Sequence, residues 1–438
     1  MNKYNFILEK YKMSIEIRNG LLKVEEIDQI NTQLVIKLEN NKYNKFAPSK
    51  YIYPFSIIND FIYLPFAYAV TELKLKRRPR TDFSAMNVLF QGILRDEQRE
   101  VKREAIDYLS KNGSIMISIP TGSGKTITSI NIACEIKLKT LVIVNKIVLI
   151  KQWVESILKV CPEAKIQQLT TKSEMKSECD FFIINAVNID KKNKEFFRDI
   201  GLVIVDEAHL IVAETLSKSL QFIYPRYLIG LSATPYRTDG LDILLSHYFG
   251  ENKIIRLLKR NHVVYKVKTG FIPKTELAVN GKMNWGVLLD SQAMDEKRNE
   301  LIISIIKKFR TRNILVLTKR VEQGEYLVNR LIEEKEDVTS LLGKQQEFDR
   351  NSRVLVATTQ KAGTGFDHAK LDCLILASDL QNYFVQALGR VLRRPDIEPI
   401  IFDLIDENRI LESHFKSRKQ VYLEIGGKIS NYPYALAG

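Results

Sequence analysis

Short runs of continuously apolar residues, separated by longer amphipathic stretches, recur from Leu94 to about Lys268 and again from Asn299 onwards. In the first stretch they are Ile115–Ile119, Thr140–Val144, Phe181–Asn185, Leu202–Asp206 and Tyr227–Leu231. In the second they are Asn313–Leu317, Arg353–Ala357, Cys373–Ala377 and Pro399–Phe402. A strand that is apolar at every position must be covered on both faces, and amphipathic helices between the strands supply that cover. The pattern therefore predicts parallel sheets of the α/β class. It divides the chain into an α/β domain over 86–268, a Gly- and Pro-interrupted connector over 269–295, and a second α/β domain over 296–438.

The first 85 residues follow another rule. Met13–Ile17 and Gln33–Leu38 alternate, which predicts a small β or α+β accessory domain. Tyr51–Val70 is dense in aromatic residues and leads into the basic run Lys74–Arg80, with Lys74, Arg77 and Arg78 as candidate nucleic-acid contacts. Aromatic and basic neighbours can hold a single strand by stacking and phosphate contact. For the aromatics, a core role for the small domain is the stronger reading. For the basic run, a solvated linker stands level with phosphate contact.

Composition narrows the class. With 45% apolar and 27% charged residues the chain is globular, which excludes a disordered or collagen-like protein. Four scattered cysteines, none in a CxxC pair, argue against a disulfide framework or structural zinc and fit a reducing compartment. Asn59, Asp60 and two prolines break the longest apolar stretch, so no membrane span and an intracellular location are expected. The net charge of +14 suits a polyanionic partner such as nucleic acid.

Two motifs carry chemistry. Pro120-Thr121-Gly122-Ser123-Gly124-Lys125-Thr126 follows one apolar run and precedes an amphipathic segment. The glycines let backbone N–H groups turn onto phosphate, Lys125 neutralises the β- and γ-phosphates of ATP, and Thr126 ligates Mg²⁺. Ile119 stands where the strict motif has Gly or Ala. Asp206-Glu207-Ala-His209 ends another apolar run, where Asp206 serves the Mg²⁺ shell and Glu207 orients or deprotonates the attacking water. His209 reads as a sensor of the γ-phosphate.

Together with Ser232-Ala-Thr234, Ala357–Asp367 and Gln386–Arg394, these blocks stand in the order of superfamily 2 DExH helicases, and the chain resembles that family over about residues 90 to 410. Within it, the chain looks most like UvsW-type phage branch-migration helicases and poxvirus-type transcript-release helicases. The resemblance implies two RecA-like domains. It implies that Arg95 and Gln98, in Leu94–Gln98, belong to the adenine-reading segment, and that Lys146, in Val144–Trp153, contacts the strand. Ser232 and Thr234 would couple the Asp206 site to the strand, Gly363 and Thr364 would approach a strand phosphate, and Asp367 would contact ribose. Gln386, Arg390 and Arg393 would lie on one helical face and complete the ATP site. The implied activity is a monomeric 3′-to-5′ translocase, with DNA favoured over RNA and replication, recombination or transcription proteins as further partners. The rivals are a transcript-release motor, an ATP-gated clamp and a restriction-complex motor subunit.

Overall fold

The computed structural model describes residues 16–18, 29–30, 32–38, 50–58, 61–120, 122–192, 194–209, 220, 223–232, 242–256, 259–277, 283–345, 347–362, 368–381 and 384–433. The chain forms two units, Met1–Ile119 with Ser123–Arg256, and Leu257–Gly438 with Pro120–Gly122. Among the described residues each contains one seven-stranded sheet, and every strand pair in both is parallel. The chain is α/β, as its apolar runs predict.

In the first unit, five short strands precede the sheet: β1 (Glu16–Arg18), β2 (Ile36–Leu38), β3 (Lys50–Ile52), β4 (Ser56–Ile58) and β5 (Phe61–Tyr63). They make an antiparallel sheet β1-β5-β4 and a separate pair β2-β3. Helix α1 (Phe66–Thr71) follows. The large sheet is built from β6 (Ser114–Ser118), β7 (Thr140–Val144), β8 (Ile166–Leu169), β9 (Phe181–Asn185), β10 (Leu202–Val205), β11 (Tyr227–Ser232) and β12 (Lys253–Ile255). Their order is β12-β6-β11-β10-β7-β9-β8. Helices α2 (Asp96–Asn112), α3 (Lys125–Ile136), α4 (Ile147–Val160) and α5 (Asp242–Phe249) join the strands.

The N-terminal segment has a small core of its own around Leu34, Phe55, Ile62 and Tyr68. Tyr63 and Phe66, however, belong to the cluster that covers one face of the large sheet, with Met116, Val203 and Phe249. The expected separate domain over 1–85 is thus corrected: its apolar face is shared with the sheet that follows. Phe55, Tyr63, Phe66 and Tyr68 are buried core residues, Phe55 and Tyr68 in the small segment's own core, whereas Tyr51 and Tyr53 are about half exposed.

The basic run is a strap. Arg77 donates to the carbonyls of Leu109 (2.9 Å) and Ser110 (2.8 Å) at the end of α2, and Arg78 donates to the Arg198 carbonyl at 3.0 Å. Lys74 donates to the Thr71 carbonyl. These groups are engaged on the main chain of their own unit.

The second sheet runs β15 (Val338–Leu341), β16 (Val354–Thr358), β14 (Ile314–Thr318), β17 (Cys373–Leu376), β18 (Ile400–Ile405), β13 (His262–Lys268), β19 (Gly427–Asn431). β13 pairs with β18 and β19, so the expected boundary at 268 moves back to Arg256. The alternation His262-Val-Val-Tyr-Lys-Val-Lys268 carries no mark of which sheet it joins. The expected connector also holds a helix, α6 (Trp285–Met294), which buries Leu288, Gln292 and Ala293. Helices α7 (Glu296–Lys308), α8 (Val321–Glu333), α9 (Thr359–Ala362), α10 (Phe384–Val391) and α11 (Arg409–Glu424) complete this unit.

Candidate active site

In a parallel sheet, ligands gather at the carboxyl ends of the strands. Three segments meet this condition on neighbouring strands of the first unit's sheet: the phosphate loop after β6, Ser232 at the end of β11, and Asp206 just after β10. Gly122 and Gly124 both have positive φ, 86° and 85°, and Gly124 is the N-cap of α3. A Cβ at Gly124 would lie 2.0 Å from Nε2 of Gln98, so a side chain there would displace that amide as well as strain the left-handed backbone. Lys125 opens the helix and donates from Nζ to the Ile119 carbonyl at 2.9 Å. Thr126 is half-buried beside it. Gln98 accepts from the Arg95 N–H (2.8 Å) and donates to the Ser123 carbonyl (3.2 Å), which braces the loop from α2. Arg95 is exposed.

Asp206 is buried, and both of its oxygens are occupied: Oδ1 accepts from the Glu207 N–H at 3.0 Å and Oδ2 from the Trp153 indole N–H at 2.8 Å. Burial pushes its carboxyl up to about 6 and the neighbouring Glu207 adds to the rise, while the Trp153 N–H and the Lys125 ammonium oppose it. Glu207 has φ +48°, a left-handed conformation that a residue with a Cβ adopts at a cost of about 1–3 kcal/mol where the surroundings enforce it. Its Oε2 is buried with no hydrogen-bond donor and lies 3.4 Å from Nδ1 of His209. That same Nδ1 is 2.8 Å from Oγ of Ser232. Glu207, His209 and Ser232 thus form a chain of polar contacts from β10 to β11. Lys146, half-buried before α4, is held below the usual lysine value by burial, with Glu207 opposing that shift.

The structure brings together Lys125, Asp206, Glu207, His209, Ser232 and Lys146 around one sheet edge. Thr121, Thr234, Gly363, Thr364 and Asp367 lie outside the described residues. In the second unit Gln386 and Arg390 are buried on α10, one turn apart. The helix ends at Val391, so Arg393 lies beyond it and donates from Nε to the Gly389 carbonyl at 3.0 Å, which corrects the single-face expectation. Sequence reasoning missed Trp153, since a tryptophan on an apolar helix face reads as core; the signal was that a buried indole N–H requires an acceptor. It also missed the buried ion-pair cluster in which Arg418 meets Asp403 (2.8 Å) and Asp379 (2.7 Å).

Mg²⁺, implied by the motifs, fits the residues present: a buried carboxylate in Asp206, the Thr126 hydroxyl at a helix start, and an orphaned buried oxygen on Glu207. Among the described residues no helix is long and apolar enough to cross a membrane.

Comparison with known proteins agrees with this geometry. Residues 91–237 match the family described as "Type III restriction enzyme, res subunit". A protein of Invertebrate iridescent virus 6 named as a helicase, 161L, is 43% identical over 96% of this chain and 100% of its own length. A protein of Acanthamoeba polyphaga mimivirus named as an ATP-dependent RNA helicase is 26% identical over 95% of this chain and 85% of its own. Among solved structures, S. cerevisiae Dbp5 bound to RNA and ADP BeF3 matches with TM-score 0.55 and 12% identity, over 76% of this chain and 89% of that one. The relatedness extends along nearly the whole chain and includes both parallel sheets: the protein belongs to the superfamily 2 helicases, a family of ATP-hydrolysing nucleic-acid enzymes.

Proposed function

We propose that this chain couples Mg²⁺-dependent ATP hydrolysis to movement along a DNA strand and remodels branched DNA. The observation that carries the ATPase half is the Asp206–Glu207–His209–Ser232 arrangement beside Lys125, with Glu207 Oε2 unsatisfied and Asp206 clamped. Lys125 neutralises phosphate charge, and Glu207 takes or orients the water that attacks the γ-phosphate. Thr126 and Asp206 would hold Mg²⁺, which would supply neutralisation of the phosphates. Gln98 and Arg95 face the adenine end, Asp367 the ribose, and Lys146, Gly363 and Thr364 the strand. His209, Ser232 and Thr234 carry the state of the nucleotide to those strand contacts. Gln386, Arg390 and Arg393 contribute to turnover from the second unit.

The test is ATPase activity with single-stranded DNA, forked DNA or RNA as activator. Forked DNA should stimulate most. Lys125→Ala should abolish turnover, and Glu207→Gln should slow it about 10²-fold or more while ATP still binds. Arg390→Ala should reduce it by up to about 10³-fold. Wild-type turnover in Lys125→Ala would remove the assignment. A second reading, a motor directed at RNA in place of DNA, is favoured by the mimivirus relative's name. Stronger stimulation by RNA would decide for it.

A further inference from the structure

Trp153 is 1% exposed, with its ring body among Leu149, Ile157 and Val160. Core packing accounts for the rings and leaves the N–H unexplained. That N–H points away from the apolar cluster to Oδ2 of Asp206 at 2.8 Å. An indole N–H can only donate, and an ionised carboxylate can only accept, so the contact has one polarity. The other oxygen is held by the adjacent Glu207 N–H, which moves with Asp206 and cannot orient it against the rest of the sheet. Trp153 is on a different element, α4, and is the group that fixes the carboxylate's rotation from outside its own turn.

We propose that Trp153 is a positioning residue for the metal carboxylate: its indole aims Asp206 at the Mg²⁺ shell and keeps the buried charge hydrogen-bonded. The proposal rests on the reading that the first unit binds Mg·ATP. Groups that orient a ligating carboxylate typically contribute 10- to 100-fold to metal affinity when removed. Trp153→Phe retains most of the apolar volume and deletes the N–H.

The experiment measures binding of a fluorescent ATP analogue to the full chain, with and without EDTA, across a Mg²⁺ titration. In Trp153→Phe the Mg²⁺ midpoint should rise on the order of tenfold, while affinity in EDTA stays within about twofold of wild type. A midpoint equal to wild type overturns the proposal, because a residue that only fills the core would not separate these two quantities. Should Trp153→Phe fail to fold, Trp285→Phe leaves Trp153 as the sole tryptophan. Its emission must then change when Mg²⁺ is added to the ATP-bound protein and not when ATP is added in EDTA. Emission that ignores Mg²⁺ overturns the proposal. If wild type shows no Mg²⁺-dependent nucleotide binding at all, the underlying reading falls, a result distinct from wild-type binding that Trp153→Phe leaves unchanged.

Discussion

His247 sits on α5 with its ring edge-on to Tyr68, centroids 5.7 Å apart, and its Nε2 is buried without a hydrogen-bond partner. Burial lowers its basicity below the usual 6.5, against the pull of Glu251, a backbone contact with Gln33, and Glu72. A folded-state value below the unfolded one means the unfolded chain binds the proton first as pH falls. Its contribution to stability is therefore complete above about pH 6.5 and is lost below it, with a slope of at most about 1.4 kcal/mol per pH unit. Urea midpoints at pH 7.5 and 5.5 should converge in His247→Phe relative to wild type; an unchanged pH dependence would contradict the lowered value. Residues of this kind were invisible beforehand, and so was Trp153, because their roles depend on which atom faces which across elements distant in sequence. The grouping of Lys125, Asp206 and Glu207 at the carboxyl ends of one sheet was legible because each stands just after an apolar run in the sequence.

Among elements, the interior strands other than β13 were readable and the margins were not. β8 (Ile-Gln-Gln-Leu) and β19 (Gly-Lys-Ile-Ser-Asn) lie at the sheet edges, are only partly buried, and carry polar residues that erase the apolar run. The strap from Lys74 to Arg80 belongs to this scale too. Gly113 caps α2 with φ +81°, and Arg77 lies directly over it, where an added Cβ would sit 2.5 Å from its Cδ. Arg77 thus caps helix carbonyls that would otherwise need water. Arg77→Ala should lower stability by about 1.5–3 kcal/mol, the range for hydrogen bonds that involve a charged group. The salt dependence of nucleic-acid binding should hold its slope. A flattened slope with unchanged stability, read by thermal melts and salt titrations, would support the phosphate-binding account.

At the scale of the whole molecule, the division after Arg256 makes a prediction about fragments. Residues 1–256 should fold and bind ATP in a Lys125-dependent way, as followed by circular dichroism and nucleotide fluorescence. A fragment starting at 296, the boundary read from the sequence, lacks β13, which lies between β18 and β19. It should aggregate through the unpaired edge of β18, whereas 257–438 should melt cooperatively. A soluble, cooperative 296–438 fragment would contradict this placement. The same strand governs the timing of synthesis. β13 leaves the ribosome with residues 262–268, yet its neighbours are at 400–405 and 427–431. At about 5–20 residues per second, it waits roughly 7 to 26 seconds for the first of them. During that interval the nascent chain carries a finished first half and a naked β-strand, so the second half completes only when nearly all of it has been translated, and holdase chaperones have a defined window in which to act.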